Sequence, residues 1–331
     1  MNELHDLLTA ACGDRVRRDV PLAAYTTFRV GGPAEWLLET RGADEVVRAL
    51  QLAHAAGVPV TMLGGGSNVL IADAGIRGLV VRPRGGEIEW LRDGLGGDRD
   101  ANESGLVRAD GSVTINRLVR WTLVHGAAGL EAWAGTPGTV GGAIFGNAHF
   151  GGRLIGEMVE RVRLASREGL ARTVAAADMS FGYDRSRLQH TGEVLLSADF
   201  RVSTGDPARL RAIARASLAF RKRTQPLDTP SAGCVFQNPE RGRDQVPDGI
   251  PWSAGALVDR AGLKGARIGG AAVSTTHGNF IVNDGSAHAR EIRQLIERCR
   301  ETVRRQFGVD LREEIVYLGD FGETNKLKPN P

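Results

Sequence analysis

Residues 58–68 read VPVTMLGGGSN, a short apolar run that ends in three glycines and is followed by a serine and an asparagine. The apolar run predicts a short buried strand. Successive glycines allow left-handed backbone conformations, so consecutive backbone N–H groups can form an anion-binding nest. A plain tight turn is the alternative interpretation. The candidates for binding a phosphate group are Gly64, Gly65, Gly66, Ser67 and Asn68.

Helix and strand signals alternate around this stretch. Residues 43–56 carry apolar side chains at helical spacing with acidic residues in the first turn, which predicts an amphipathic helix. LVVRP at 79–83 predicts a strand, and YTTFRVGG at 25–32 predicts another strand that ends in glycines. This alternation is typical of an α/β arrangement.

The rest of the chain predicts further helices and antiparallel strands. Amphipathic helices are predicted at 114–125, 206–224 and 289–306. Thr114 is the candidate N-cap of the first of them, and Cys299 lies on the apolar face of the last. Strands are predicted at 159–169, 194–203 and 311–319, and short strands with a surface loop near 93–104 are predicted within 84–111.

The composition excludes several classes of protein. The 331 residues suffice for about two domains at ~150 residues each, and a hydrophobic share of 42% argues against a disordered chain. The three cysteines are scattered and form no C-x-x-C pair, which excludes a disulfide scaffold and a typical zinc site. No apolar run approaches the ~18 residues of a membrane span, and the first residues lack the apolar core of a signal peptide. We therefore expect a cytoplasmic protein with no membrane partner.

The charge pattern gives little support to nucleic-acid binding. The net charge is only +3, the arginines are dispersed among acidic residues, and aromatic residues make up 5% of the chain. A nucleic-acid module usually shows a clustered basic patch, so we predict no nucleic-acid partner. Arginine side chains still suit small ligands that carry phosphate groups.

The usual catalytic and nucleotide-binding motifs are absent. The sequence contains no G-x-G-x-x-G, no G-K-[ST], no G-x-S-x-G and no H-E-x-x-H. The seven histidines do not cluster with carboxylates at metal-ligand spacing, so we predict no metal site. A second glycine-rich stretch, GTPGTVGGA at 135–143, can place a second nest beside the first and bind the two phosphates of a dinucleotide. The candidates in it are Thr136, Pro137, Gly138, Thr139, Gly141 and Gly142.

Six stretches together resemble the UDP-N-acetylenolpyruvoylglucosamine reductase family, in the same order and from about residue 20 to residue 319. They are TTFRVGGPAEW (26–36), LGGGSNVLIADAGIRGLVV (63–81), AGTPGTVGGAIFGNA (134–148), RKRTQPLDTPSAGCVFQNP (221–239), AGALVDRAGLKGARIGGAAVSTTHGNFIVN (254–283) and FGVDLREEIVYLG (307–319). Six motifs in one order are far more specific than any one of them.

The resemblance implies an α+β fold. A two-lobed FAD-binding domain of the vanillyl-alcohol oxidase/p-cresol methylhydroxylase type would precede a C-terminal α+β substrate-binding domain. We place the first FAD-binding lobe at 1–83, the second at 84–203, the substrate-binding domain at 204–319 and a flexible tail at 320–331. The chain runs from FGYDRSRL almost directly into LLSADFRV, which resembles the subclass without an extra tyrosine-bearing loop.

The resemblance also implies the reaction. NADPH would reduce bound FAD, and UDP-N-acetylglucosamine enolpyruvate would be reduced to UDP-N-acetylmuramate for peptidoglycan synthesis. This chemistry needs a proton donor over one carbon and a cation or acid near the carboxylate. We expect a monomer whose partners are these small molecules.

Two catalytic residues follow from matched motifs. Cys234 stands where the family's A-G-S-x-F motif has its proton-donating serine, and an inert buried cysteine is the alternative. A thiol, with a reference pKa of ~8.5, is a stronger acid than a hydroxyl. The family's glutamate near the C-terminus corresponds to Glu314, and strand alternation would place only one of Glu313 and Glu314 in the site. A surface glutamate is the alternative for either of them.

The family's F-x-Y-R-x-S motif is changed in this chain. FGYDRS at 181–186 has Asp184 at the position of the arginine, and the guanidinium belongs to Arg185 instead. In an extended segment a shift of one residue turns a side chain to the other face. Arg185 is the predicted catalytic cation if the backbone bends there, with Arg187 or another arginine as substitute.

The resemblance carries over more loosely to substrate binding. The matching positions are Tyr183, Arg221, Gln225, Asn238 and Lys264. His277 and Asn279 match a further motif, for which a structural role is the alternative. Two other functions stay open at this point: a sugar or lactone oxidase on the same flavin fold, and a catalytically impaired protein that binds flavin or a UDP-sugar.

Overall fold

The structure is a computed structural model that describes residues 2–91 and 104–322. The surface loop predicted near 93–104 lies outside the described residues except for Ser104, and so does most of the tail predicted at 320–331. Within the described ranges, no helix is both long and apolar enough to cross a membrane.

The helices confirm the pattern that the apolar stripes predict. They are α1 (Asn2–Cys12), α2 (Gly42–Ala55), α3 (Ile115–Val124), α4 (Val140–Phe145), α5 (Leu188–Thr191), α6 (Pro207–Thr224), α7 (Ala254–Arg260) and α8 (Ala289–Phe307). The four predicted helices correspond to α2, α3, α6 and α8 with ends that differ by one residue or so. The Thr114 side chain accepts a hydrogen bond from the Arg117 N–H at 3.2 Å, so it caps α3 as predicted.

The strands form several sheets. They are β1 (Val16–Pro21), β2 (Pro33–Arg41), β3 (Val60–Met62), β4 (Val69–Ile71), β5 (Ile76–Arg84), β6 (Ile88–Leu91), β7 (Ser104–Asp110), β8 (Ala127–Ala128), β9 (His149–Phe150), β10 (Arg153–Leu154), β11 (Val159–Ala165), β12 (Ala171–Ala175), β13 (Val194–Thr204), β14 (Arg267–Ile268), β15 (Ala271–Val273), β16 (Ile281–Asn283) and β17 (Val316–Leu318).

The first sheet has the order β1-β2-β5-β3. Strands β2, β5 and β3 are parallel, and β1 adds an antiparallel edge. Helix α2 covers one face, where Ala49 and Ala53 pack against Trp36, Leu79 and Val81. Strand β3 ends directly before the glycine loop, so this sheet fixes where that loop begins.

The second sheet is antiparallel and has the main path β12-β11-β13-β7-β6. Trp133 and Phe200 are fully buried in the core beneath it. The buried carboxylate of Asp199 accepts charge-assisted hydrogen bonds from Arg108 and Arg161, both at 2.7 Å, and so ties three neighbouring strands together.

The C-terminal part has its own core. Strands β14, β15 and β16 form a small antiparallel sheet, against which α7 and α8 pack. The buried face of α8 carries the predicted apolar residues, and Cys299 is 1% exposed among them. The prediction that Cys299 is a core residue is therefore confirmed. The domain boundaries predicted at 83, 203 and 319 stay a prediction.

Two predicted strands are corrected. Residues 25–32 do not form a strand, because Arg29 and Gly31 have positive φ angles of 58° and 135° and the segment folds back on itself. The strand predicted at 311–319 is limited to β17. Residues 312–314 pair instead with the segment 235–237, through the Gln237 N–H to the Arg312 carbonyl and the Glu314 N–H to the Val235 carbonyl, both at 2.8 Å.

Strand β17 places the C-terminal part of the chain beside the glycine loop. It pairs in parallel with β4, which begins directly after the glycine loop. The Asn68 side chain donates a hydrogen bond to the Glu314 carbonyl at 3.2 Å, and the Val316 N–H donates to the Asn68 carbonyl at 3.0 Å. A candidate phosphate-binding loop and a candidate catalytic glutamate are thereby fixed next to each other.

Candidate active site

One cavity of about 1090 Å³ lies where the predicted site residues meet. This volume is just above the ~300–1,000 Å³ that is usual for ligand pockets, which suits a large ligand. The lining residues that matter below are Ser67, Pro137, His149, Arg221, Gln225, Cys234 and Glu314.

The two glycine-rich loops pack against each other at the cavity. A Cβ atom on Gly65 would lie 2.6 Å from the Gly138 Cα, and one on Gly66 would lie 2.0 Å from the Tyr25 carbonyl oxygen. Gly66 also has a φ of +64°. Only glycine allows these approaches and this conformation. The loops are therefore closely packed against their neighbours, which an ordinary tight turn does not require.

Some predicted phosphate-binding residues have structural partners instead. The Gly141 N–H donates to the Gly111 carbonyl at 2.8 Å, and the Gly142 N–H donates to the Thr139 side chain at 3.3 Å. These two donors support the second loop and are not free for a ligand. Ser67 and Pro137 line the cavity directly, so a bound phosphate would contact the two loops at these residues.

These loops fit the pyrophosphate of the FAD that the resemblance implies. Gly65 and Gly66 lack the Cβ atoms that would push the loops apart, and the Ser67 side chain at the cavity supplies a hydroxyl donor. The Thr27 hydroxyl donates instead to the Gly66 carbonyl oxygen at 3.3 Å. Arg29 lines the same wall and supplies a positive charge for phosphate groups. The cavity volume and this donor set are compatible with a bound dinucleotide.

Cys234 is held at the cavity by backbone pairing on two sides. The next residue, Val235, donates its N–H to the Asn279 carbonyl at 2.9 Å and accepts from the Glu314 N–H at 2.8 Å. Gly233 precedes the cysteine with a φ of +78°, which lets the chain turn the thiol into the cavity.

Asn279 holds this segment through its side chain. Its Oδ1 accepts from the Phe236 N–H at 2.9 Å, and its Nδ2 donates to the Phe236 carbonyl at 2.7 Å. Asn279 is 3% exposed, so no water replaces these bonds easily. This geometry supports the structural alternative for its motif.

Replacing Asn279 by alanine should lower the free energy of unfolding by about 2–4 kcal/mol, because it leaves a buried N–H and a buried carbonyl without partners. Denaturant unfolding of the two purified proteins measures the difference. A loss below about 1 kcal/mol would mean that the segment is held by the backbone pairs alone.

Glu313 and Glu314 face different surroundings, as strand alternation predicts. Glu314 lines the cavity, while the Glu313 carboxylate lies 3.5 Å from Arg293 and 3.4 Å from Arg300 on α8. Glu313 therefore has a structural ion-pair role in the C-terminal core. Glu314 is the glutamate that is available to a ligand.

Two acidic groups of the cavity have raised pKa values. Burial, and then the charge of Asp184, raises the pKa of Glu314 well above its usual range. Burial, and then the carboxyl groups of Glu314 and Asp184, raises the pKa of the Cys234 thiol. Both shifts favour the protonated form of the group, which can donate a proton or a hydrogen bond.

The substituted motif places Asp184 in the site and Arg185 outside it. Gly182 and Arg185 exchange backbone hydrogen bonds at 3.0 and 3.1 Å, which makes a tight turn with Asp184 at a φ of 51°. The turn directs the Asp184 carboxylate to His149, while the exposed Arg185 guanidinium lies against Gly182. Neither Arg185 nor Arg187 is among the described residues that line the cavity. The sequence predicts Arg185 in the catalytic site, but the structure does not place it there.

Arg221 is the buried guanidinium of the cavity. It is 6% exposed, donates to the Thr136 hydroxyl at 2.8 Å and stacks 3.9 Å above the centre of the Phe150 ring. Its buried Nε–H has no partner. Burial lowers the pKa of Arg221 to about 10, so it stays charged at neutral pH. A ligand with an anionic oxygen would satisfy this donor.

The other predicted substrate-binding residues divide into two groups. Gln225 lines the cavity, and the Tyr183 hydroxyl lies at its edge, where it accepts from the Asn238 N–H at 3.4 Å. The Asn238 side chain accepts from the Ala254 N–H at the start of α7, which is a structural role. Lys264 pairs with Asp259 at 2.8 Å, and the described lining of the cavity does not include it.

Sequence reasoning missed His149. Its Nδ1 lies 3.0 Å from the Asp184 Oδ1, and single ligand atoms of His149, Asp184 and Glu314 all lie within 4.8 Å of one another. The sequence spacing gave no sign of this cluster, and the absence of a metal site stays a prediction. The three residues are far apart in sequence, so no spacing pattern could have revealed the cluster.

Comparisons with known proteins agree with this geometry. Residues 225–318 match the model of the UDP-N-acetylenolpyruvoylglucosamine reductase C-terminal domain, and residues 35–175 match that of an FAD binding domain. The UDP-N-acetylenolpyruvoylglucosamine reductase of Parasynechococcus marenigrum (strain WH8102) is 40% identical over 306 residues, covering 92% of this chain and 96% of the relative. That of Synechococcus sp. (strain CC9605) is 41% identical over 302 residues, covering 91% and 94%.

A solved structure is also similar over nearly the whole chain. It is the crystal structure of the UDP-N-acetylenolpyruvylglucosamine reductase from Thermus caldophilus, with a TM-score of 0.72 and 30% sequence identity. The match covers 92% of this chain and 99% of that one. An FAD-binding domain followed by a C-terminal α+β domain is therefore the architecture of this chain.

Proposed function

Because the chain belongs to the UDP-N-acetylenolpyruvoylglucosamine reductase family, we propose that its cavity is the active site and that Cys234 and Glu314 carry the proton chemistry. The reaction is the NADPH-dependent reduction of UDP-N-acetylglucosamine enolpyruvate to UDP-N-acetylmuramate, a step of peptidoglycan precursor synthesis. The observation that carries the assignment is that Cys234 and Glu314 line the same cavity as Ser67 and Pro137 of the two glycine loops.

FAD and the substrate would share this cavity. Bound FAD, reduced by NADPH, would supply the hydride. The loops 64–68 and 136–139, with Ser67 as a direct donor, would hold the pyrophosphate of the cofactor. Arg221 and Gln225 bind the anionic and polar groups of the substrate from the wall formed by α6 and the residue that follows it.

Cys234 completes the reduction of the double bond. One alkene carbon receives the hydride, and the other receives the proton of the Cys234 thiol, so the C=C bond becomes a C–C bond with two new C–H bonds. The thiolate that remains is disfavoured by burial and by the neighbouring carboxyl groups. It therefore takes a proton back from water before the next turnover.

Glu314 stabilises the enolate as a neutral hydrogen-bond donor. Burial and the charge of Asp184 raise its pKa and so favour the protonated carboxyl group. A donor aimed at developing negative charge is worth more in a cavity than in water. A charged carboxylate would instead repel the enolate.

The form in which Glu314 acts can be tested with two variants. Glu314→Ala should lower kcat about 10²-fold, because it removes a donor from the reacting group. Glu314→Gln keeps a neutral donor of similar shape, so its kcat should stay within about tenfold of the wild type. Steady-state NADPH oxidation measures both. Equal losses in the two variants would show that the charged carboxylate, not the neutral acid, is the working form.

We also propose that the enzyme acts as a monomer in the cytoplasm, where NADPH is available as reductant. The molar mass of the holoenzyme in solution tests this, and a stable dimer would contradict it.

A further inference from the structure

The position of His149 suggests a role in the reaction that the motifs do not assign. Its strand β9 pairs with β10 at the edge of the cavity, and its side chain lines the cavity together with Cys234 and Glu314. The reaction builds negative charge next to Glu314, and Asp184 already places a carboxylate there. A cation at this place would offset part of this negative charge.

Asp184 orients the His149 ring. The Asp184 side chain is 7% exposed, and its Oδ1 accepts from His149 Nδ1 at 3.0 Å. A carboxylate only accepts hydrogen bonds, so Nδ1 carries a proton and Nε2 is the second polar atom of the ring. The hydrogen bond at one ring nitrogen fixes the orientation and charge of the other.

The second ring nitrogen has no strong protein partner. The Tyr183 hydroxyl lies 3.5 Å from Nε2, at the limit for a hydrogen bond, and that hydroxyl already accepts from the Asn238 N–H. The Asp184 Oδ2 is buried and has no partner either. In the described part of the chain, His149 Nε2 and Asp184 Oδ2 therefore lack a strong hydrogen-bond partner. His149 lies at the cavity, where a ligand can supply one.

We propose that His149, as an imidazolium held by Asp184, binds the carboxylate of the enolpyruvyl group through Nε2–H and stabilises the enolate that forms there. This inference rests on the proposed function and adds His149 as a catalytic residue and Asp184 as its positioning residue. It also gives a role to Asp184, which stands where the family motif has an arginine. Asp184 is not itself a cation, but it holds the cationic His149 of β9 in place.

Other charged groups around His149 agree with this assignment. Asp184 and Tyr183 face it from the turn at 182–185, and Glu314 faces it from the segment before β17. Arg153 on β10 and Arg221 on α6 line the same cavity. Burial raises the pKa of Tyr183, so that group stays neutral and adds no charge. The His149 imidazolium is the cation next to Asp184 and Glu314, and it offsets part of the negative charge that develops there.

The test compares His149→Gln, His149→Lys and the control His54→Gln, which changes an exposed histidine on α2. Each is assayed as the holoenzyme, with FAD content and melting temperature measured alongside. We expect His149→Gln to lower kcat about 10²-fold and His149→Lys to recover at least about a tenth of wild-type turnover. His54→Gln should leave kcat unchanged.

The two half-reactions separate a catalytic role from a merely structural one. Reduction of the bound flavin by NADPH does not involve the enolpyruvyl carboxylate, so its rate should stay within about twofold of the wild type in His149→Gln. Asp184→Asn keeps the shape but not the charge of the positioning residue, and should lower kcat with the same unchanged rate of flavin reduction.

Three results would overturn the inference. The first is a kcat of His149→Gln within about threefold of the wild type, which is far below the loss expected of a catalytic group. The second is a folded, FAD-loaded His149→Lys that is as inactive as His149→Gln. The third is loss of wild-type activity on chelation with recovery by Mn²⁺ or Zn²⁺, which would make the cluster a metal site. If the wild-type holoenzyme itself does not turn over the substrate, the proposed function fails and not this inference alone.

Discussion

Replacing Cys234 by alanine is expected to lower turnover about 10²- to 10⁴-fold, the usual range for loss of a general acid. The thiol is the protonated group that the backbone pairs at Val235 hold at the cavity, and alanine has no proton to give. Reduction of the bound flavin by NADPH does not use this proton, so its rate should stay within about twofold. Rapid mixing measures the two half-reactions separately.

Two further variants make the Cys234 result specific. Cys234→Ser restores an acidic proton on a weaker acid, so it should turn over faster than Cys234→Ala and slower than the wild type. Cys12→Ala changes a buried cysteine beneath the first sheet and should leave kcat unchanged. Near-normal turnover of Cys234→Ala would remove the thiol from the mechanism and support the inert alternative.

Replacing Gly66 by alanine should abolish stable binding of FAD. The added Cβ would lie 2.0 Å from the Tyr25 carbonyl oxygen and 2.9 Å from the Thr26 Cα, so the loop and the segment 25–27 cannot keep their positions. The left-handed backbone adds about 1–2 kcal/mol of strain for any residue with a side chain. We expect a purified protein without the flavin colour and with a lower melting temperature.

Gly57→Ala is the matched control for Gly66→Ala. Gly57 has the same φ of +64°, but a Cβ there would meet no atom within 4 Å. Gly57→Ala thus carries the backbone strain without the collision, and it should keep FAD at wild-type stoichiometry. The flavin absorbance per protein and the melting temperature are measured for both variants. Equal flavin content in the two would contradict the close packing of the loops as the basis of cofactor binding.

The sequence predicts the regular elements well where one physical signal dominates. The apolar face of α8 and the Thr114 cap of α3 follow from spacing and capping alone, and both are confirmed. The strand predicted at 25–32 is wrong because left-handed residues such as Arg29 break it. A non-glycine residue in that conformation has no sequence signature.

The site was predictable only in part. The motifs brought Cys234, Glu314 and Arg221 to attention, and all three line the cavity. The position of Arg185 depended on the direction of a four-residue turn, which the motif does not encode. His149 lies close to Asp184 and Glu314 only in the folded chain, because the three residues are far apart in sequence, so local patterns could not predict it.

The most direct test of the whole account is NADPH oxidation by the purified holoenzyme, with and without UDP-N-acetylglucosamine enolpyruvate. We predict oxidation that depends strictly on this substrate and yields UDP-N-acetylmuramate in equal amount. Bound flavin without substrate-dependent oxidation would contradict the account, and would mean that Asp184 and Cys234 mark a cavity that has lost the reaction.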